Sequence, residues 1–127
     1  MGWSAVPLSI VILGYVLLAA GIAVSTWAQA VNRFFEPGVR LQRERGQQVI
    51  SSGPYAIVRH PGYVGAVMIF AGLALALASW WALVPAAWAS AVLIMRTSWE
   101  DTFLQAELDG YADYASHVRF RLVPGFW

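Results

Sequence analysis

The chain of 127 residues contains no cysteine and no lysine, and only 12% of its residues are charged. Without cysteine it forms no disulfide, no thiolate zinc site and no cysteine nucleophile. Its mean hydropathy of +0.58 is too high for a soluble domain of this length. We therefore expect one membrane domain over residues 1–127, with no metal site and no nucleic-acid partner.

Charge is also absent from two long stretches of the chain. Residues 1–32 and 60–95 contain no Asp, Glu or Arg. All eight basic residues are Arg, and they lie between these two stretches or after the second one. The charges therefore mark two water-facing zones that are separated by apolar segments.

The first apolar stretch predicts a transmembrane helix over residues 5–28. About 20 residues with a rise of about 1.5 Å each cross a hydrocarbon core of about 30 Å. Trp3 and Trp27 flank the stretch as interfacial anchors. A polar connector follows over residues 32–60, and its excess of Arg indicates that it faces the cytoplasm.

Two shorter apolar segments, residues 61–79 and 80–98, predict a tight helical hairpin. Arg59 precedes this pair and Arg96 follows it, so both ends of the hairpin return to one face of the membrane. Residues 99–118 have the 3.6-residue period of an amphipathic helix, which Gly110 breaks or bends. With a tail at residues 119–127, the predicted fold is all-α, with about three transmembrane helices and a C-terminal amphipathic helix.

Polar side chains gather at the two ends of the predicted hairpin. Pro61 suits the first position of a helix, so the N–H groups of that helix end should form an anion pocket with Arg59 and His60. Arg96, Glu100 and Asp101 follow the other end. Because a hairpin brings its ends together, we expect these groups to converge at the membrane boundary, where ionisable groups are costly and usually functional.

Some of these residues also have a structural interpretation. Arg59 could be an interfacial cation without a ligand. Gly65 either leaves a helix face open for a ligand or lets a neighbouring helix approach. Tyr111 either lines the pocket or packs at the interface, and Arg121 either holds an anion or anchors the tail to the membrane surface.

Three ordered motifs resemble those of one family of membrane-embedded enzymes. GPYAIVRHPGYVG resembles the R-H-P-x-Y-x-G motif of the methyltransferases that include isoprenylcysteine carboxyl methyltransferase and the phospholipid N-methyltransferases. RTSWED is similar to their R-x-x-x-E-E element, and YADYASHVRFRLVPGFW resembles their Tyr-x-x-Tyr and Arg-x-x-Pro terminus. The resemblance extends from Asn32 to Trp127. Members usually have one or two more N-terminal helices, so part of the substrate cavity is expected to be absent or to come from another copy in a homo-oligomer.

The resemblance implies transfer of a methyl group from S-adenosylmethionine to a lipophilic carboxylate or amine in the bilayer. The residues carried over as cofactor-binding are Arg59, His60, Tyr63, Gly65, Glu100, Asp101, Tyr111 and Arg121. His60, Glu100 and Arg96 are carried over as catalytic. An amine acceptor must lose a proton, for which His60 or Glu100 is the candidate base.

Two other functions remain open at this point. Sterol reductases, which use NADPH, have a similar ending, but their motif reads His-Pro-Asn-Tyr-x-Gly-Glu. This chain has Gly62 and Ala66 at the Asn and Glu positions, which favours the methyltransferase. The third interpretation is a non-catalytic, truncated membrane subunit.

Overall fold

The computed structural model describes residues 6–32, 49–124 and 126–127, and the secondary structure in these ranges is helical. The elements are α1 (Leu8–Val31), a 3₁₀ turn (Gly53–Ala56), α2 (Pro61–Ala76), a second 3₁₀ turn (Trp80–Ala82), α3 (Leu83–Glu107) and α4 (Tyr111–His117). The all-α prediction is confirmed. Trp3 and most of the predicted connector, residues 33–48, lie outside the described residues.

α1 is the predicted first transmembrane helix, displaced by three residues toward the C-terminus. It is long and apolar enough to cross a membrane, whereas α2 has only 16 residues. Large apolar side chains on α1, such as Leu8 and Ile12, are more than half exposed. Exposed apolar surface of this kind suits contact with lipid. The number of spans stays a prediction.

The hairpin has the predicted order, but its second helix is longer than expected. α2 ends at Ala76, and α3 then runs without a break from Leu83 to Glu107. The predicted boundary at residues 98 and 99 is therefore absent. The apolar part of the helix and the first half of the expected amphipathic helix form one rod, because no Gly or Pro interrupts residues 86–107. The helix ends at Glu107, and the chain turns at Gly110, which adopts a φ of 84° before α4 begins.

Closely approaching backbones join α1 to α2, its most extensive partner. A Cβ atom on Gly21 would lie 2.8 Å from the carbonyl oxygen of Gly65 and from the backbone nitrogen of Ile69. Gly14 and Gly72 make similar approaches along the same interface. The contact partners run in opposite directions along the two helices, so α1 and α2 pack antiparallel. Helices in lipid associate through such close van der Waals packing between small residues.

A smaller core lies at the polar end of the helices. Ala28 at the end of α1 is fully buried and packs with Tyr55, Tyr111 and Tyr114. This tyrosine-rich cluster joins the first 3₁₀ turn to α4. It therefore places the chain before α2, the charged half of α3 and the C-terminal residues beside one another.

The α1–α2 interface yields a prediction about stability. Gly21→Val should lower the free energy of unfolding by about 1 to 3 kcal/mol, because the added side chain meets backbone atoms that have no room to move. Thermal unfolding in detergent, followed by circular dichroism, measures the change. Ala23→Val, on an exposed position of the same helix, is the matched control. Equal destabilisation by both substitutions would contradict the close packing at Gly21.

Candidate active site

The carboxylate of Asp101 lies at the centre of the polar cluster. Asp101 is on α3 and is fully buried. Its Oδ1 atom lies 3.0 Å from Nε2 of His60 and accepts a hydrogen bond of 2.8 Å from the hydroxyl of Tyr111. The predicted convergence of the two hairpin ends is therefore present, with His60 and Asp101 in direct contact.

The second oxygen of Asp101 is also fully used. Oδ2 accepts from Nη2 of Arg59 at 2.9 Å, from Nε of Arg121 at 3.2 Å and from the amide of Gln105 at 2.8 Å. Five donors therefore surround one carboxylate, and its acceptor capacity is filled. The hydrogen-bonding capacity of Asp101 is therefore met by side chains of the protein itself.

This environment determines the ionisation of Asp101. Burial alone disfavours the charged form, but hydrogen bonds from His60 and Tyr111 and the charge of Arg59 outweigh it. Together they hold the pKa of the Asp101 carboxyl well below its ordinary value. The group is thus an acceptor at every physiological pH.

The residues before α2 are held by the C-terminal tail. The backbone N–H of Arg59 donates to the carbonyl of Phe120 at 2.9 Å, and that of His60 donates to the carbonyl of Arg121 at 3.0 Å. The guanidinium of Arg121 also lies 5.0 Å from the ring centre of Trp127, a cation–π contact. Backbone hydrogen bonds to the tail thus fix the two residues that meet Asp101, and the cation–π contact lies within the tail itself.

Glu100 lies next to this cluster but has a different environment. It is partly exposed, and Oε2 accepts a hydrogen bond from the hydroxyl of Tyr63 on α2. Arg96, one turn earlier on α3, also interacts with that hydroxyl. The Tyr63 ring in turn stacks on His60, with ring centres 5.9 Å apart. Adjacent acids on α3 therefore have different environments: Asp101 points into the closed cluster, and Glu100 has acceptor capacity left among the described residues.

Two tyrosines of α4 support the cluster from the tail side. The hydroxyl of Tyr114 donates to the carbonyl of Tyr55 at 2.6 Å. The rings of Tyr111 and Tyr114 pack edge to face with centres 5.5 Å apart. Burial is the main cause that raises the pKa of both hydroxyls, so both stay protonated and act as donors.

One buried polar atom of the cluster is unsatisfied. Among the described residues, Nε of Arg59 is buried and has no hydrogen-bond partner. Within the described part of the chain, the guanidinium groups of Arg59 and Arg121 share the single carboxylate of Asp101, so this group of three side chains has one net positive charge. Native proteins rarely leave a buried donor unpaired, so this atom lacks an acceptor that a bound anionic group could supply.

The structure brings together most of the residues that the sequence predicted for the site. They are Arg59, His60, Tyr63, Arg96, Glu100, Asp101, Tyr111 and Arg121. Gly65, which was expected to contact the cofactor, lies instead against α1. Its Cβ direction is filled by Ser25 and Gly21 of α1, so it serves helix packing instead. His117, the other histidine of the chain, is exposed on α4.

Sequence reasoning missed three contributors to the site. Gln105 could have been found, because it lies four residues after Asp101 and so on the same face of the helix. The carbonyl of Phe120 and the ring of Trp127 carry no such signal. Their positions depend on how the tail folds back onto the chain before α2.

Comparison with known proteins identifies a family that the chain matches. A family model described as phospholipid methyltransferase matches residues 9–109, well over half of the chain. The matched region contains α1 from its second residue and all of α2 and α3, and therefore His60, Glu100 and Asp101, but not α4 or the tail. No curated protein and no solved structure matches the chain significantly.

The depressed pKa of Asp101 predicts a pH dependence of stability. The unfolded carboxyl protonates near its ordinary value of 3.8 and the folded one only at lower pH, so the unfolded state binds more protons in acid. The stabilisation from Asp101 is therefore present above about pH 5 and is lost as the pH falls through and below 3.8. Unfolding midpoints between pH 7 and pH 2.5 measure this loss.

The matched variants isolate the contribution of this carboxyl. Asp101→Asn should cost about 3 to 5 kcal/mol at neutral pH, because buried cations lose their partner, and its acid dependence should be shallower than that of the parent. Asp113→Asn alters an exposed acid of α4 and should retain the parent profile. Parallel acid profiles for the parent and Asp101→Asn would exclude the buried ion-pair assignment.

Proposed function

Because the chain belongs to the phospholipid methyltransferase family, we propose that it transfers a methyl group from S-adenosylmethionine to a lipophilic acceptor at a membrane surface. The methyltransferase class follows from the family. The donor, the acceptor and the residues that hold them are the proposal. The observation that carries it is the meeting of Arg59 and His60 with Glu100 and Asp101 at one end of the helices.

The described residues fit the polar end of such a donor. The buried, unpaired Nε of Arg59 and the excess positive charge beside it suit a carboxylate. α2 begins at Pro61, and its first N–H groups add a partial positive charge. Arg59 is therefore the residue that would hold the carboxylate of the donor.

Glu100 would hold the ammonium or hydroxyl groups of the donor. Asp101 is excluded from this role because five donors already occupy its oxygens. Glu100 has its hydrogen bond from Tyr63 and remains partly exposed. Tyr63 orients that carboxylate, and Arg96 contributes a second cation at the same edge.

When bound, S-adenosylmethionine supplies a methyl group on a sulfonium, whose carbon–sulfur bond breaks with its electron pair left on sulfur. The protein contributes positioning and exclusion of water. Holding two reactants in attack geometry lowers a barrier by about 7 to 11 kcal/mol. Arg59 and His60 are both buried, so polar contacts at this position are strengthened by the lack of competing water.

The helices support a lipophilic acceptor. α1 exposes Leu8 and Ile12, and the first half of α3 exposes Val84 and Trp88. In a bilayer, the polar cluster at the end of these apolar helices would lie where lipid headgroups meet water. An acceptor entering from the bilayer would therefore reach the charged half of α3 without leaving its acyl chains exposed to water.

Binding of the demethylated product tests the donor site. S-adenosylhomocysteine at about 100 times its dissociation constant should stabilise the detergent-solubilised protein by about 2.7 kcal/mol, seen as a higher unfolding temperature. Glu100→Gln should abolish most of this shift, and Glu107→Gln, an exposed acid on the same helix, should retain it. Transfer of labelled methyl groups from S-adenosylmethionine into a membrane lipid extract measures the activity itself.

The same measurements separate the other functions. Stabilisation by NADPH and not by S-adenosylhomocysteine would indicate a reductase. No stabilisation by either compound, together with no labelled lipid, would indicate a non-catalytic membrane subunit and contradict the proposal.

A further inference from the structure

The hydrogen bonds of His60 determine which of its ring nitrogens carries the proton. Nε2 lies 3.0 Å from Oδ1 of Asp101, which is ionised and can only accept. Nε2 must therefore be the donor. The hydroxyl of Tyr111 donates its single proton to the same oxygen at 2.8 Å, so its 3.4 Å contact with Nε2 is one in which the hydroxyl oxygen accepts.

The other nitrogen of the ring is left as an acceptor. In neutral imidazole only one nitrogen carries hydrogen, and here that nitrogen is Nε2. Among the described residues, both hydrogen bonds of the ring involve Nε2, and none involves Nδ1. Nδ1 is not among the buried atoms that lack a partner, so it keeps a small exposed area although the whole side chain of His60 is only 5% exposed.

We propose that Asp101 holds His60 in the tautomer protonated on Nε2, so that Nδ1 is the base that removes a proton from an ammonium acceptor before methyl transfer. This inference rests on the proposed methyl transfer and adds the identity of the base and of the residue that positions it. In this proposal His60 is the catalytic residue, because its Nδ1 would contact the acceptor. Asp101 is a positioning residue, because it acts through His60.

The proton balance is simple. An N–H bond of the ammonium group breaks, and its electron pair remains on nitrogen as the lone pair that attacks the methyl group. The proton bonds to the lone pair of Nδ1, which makes an imidazolium with hydrogen on both nitrogens. The imidazolium is stabilised by the carboxylate of Asp101 and releases the proton to water at the end of the cycle.

The side chains around His60 determine how readily its ring accepts a proton. Asp101 of α3 stabilises the protonated ring, whereas Arg59 and Arg121 on the far oxygen of that carboxylate oppose a further positive charge. Tyr111 of α4 and Tyr63 of α2 are uncharged neighbours, and Glu100 is reached through Tyr63. A carboxylate acceptor needs no such base, so this role applies to an amine acceptor.

The tautomer is measurable without any ligand. The protein has two histidines, so His117→Gln, which alters an exposed side chain, leaves a nitrogen spectrum that reports His60 alone. We expect long-range ¹⁵N–¹H spectra at pH 8 to show hydrogen on Nε2 and a lone pair on Nδ1. Hydrogen on Nδ1, or an imidazolium that persists at pH 8.5, would overturn the proposal.

The pH profile tests the role of the ring as a base. His60→Gln keeps an N–H group for Asp101 but has no base, so kcat for phosphatidylethanolamine in mixed micelles should fall about 100-fold or more. In this proposal His60 acts on the acceptor and does not hold the donor, so KM for S-adenosylmethionine should change less than about threefold. In the parent protein kcat should fall in acid as the imidazole protonates, and this limb should be absent from the variant.

Asp101→Asn, where it folds, should mix the two tautomers and lower kcat, while S-adenosylhomocysteine still stabilises it. The tautomer measurement on His117→Gln does not depend on that variant.

The outcomes separate this inference from the proposed function. If no lipid receives a labelled methyl group from S-adenosylmethionine, the proposed function is contradicted. If His60→Gln methylates phosphatidylethanolamine with the kcat and the acid limb of the parent pH profile, His60 is not the base, and the proposed methyl transfer still stands. Transfer to a long-chain carboxylate but not to the amine also overturns the inference and leaves methyl transfer intact.

Discussion

A single buried carboxylate, that of Asp101, joins four parts of the chain. Arg59 and His60 reach it from the segment before α2, Gln105 from its own helix, Tyr111 from α4 and Arg121 from the tail. A buried charge is costly unless it is paired and hydrogen-bonded. The ionised form of Asp101 is therefore most stable when all four parts of the chain are in place. The charge thus couples the arrangement of the tail to the start of α2.

The adjacent acids of α3 show how a difference of one residue separates structure from chemistry. Successive residues of a helix point about 100° apart, so Asp101 faces the cluster while Glu100 faces Tyr63 and solvent. Donors of the protein occupy the acceptor positions of Asp101. The neighbouring acid keeps acceptor capacity for a ligand, and His60 lies between them, bonded to one and stacked on the tyrosine that contacts the other.

The helices provide the frame on which this cluster forms. Glycines allow α1 and α2 to approach closely, which holds the start of α2 in place against the end of α1. α3 continues beyond its apolar half for three more turns and carries Glu100, Asp101 and Gln105 into the polar region. A break at the predicted boundary would have separated these acids from the rigid part of the helix. Continuity of α3 is therefore part of how the site is positioned.

The sequence by itself determined the helical class, the apolar segments, the meeting of the hairpin ends and most of the site residues. It could do so because helix periodicity, the missing charges and Pro61 are local features, and because a short hairpin leaves its ends few places to go. The methyltransferase resemblance likewise depended on motifs within short windows. Only the tertiary structure decided that Asp101 is internal and Glu100 open, that Gly65 packs against α1, and that the tail carbonyls hold Arg59 and His60. These outcomes depend on contacts between residues far apart in the chain, and a pattern of residue types does not specify which donors will fill a given carboxylate.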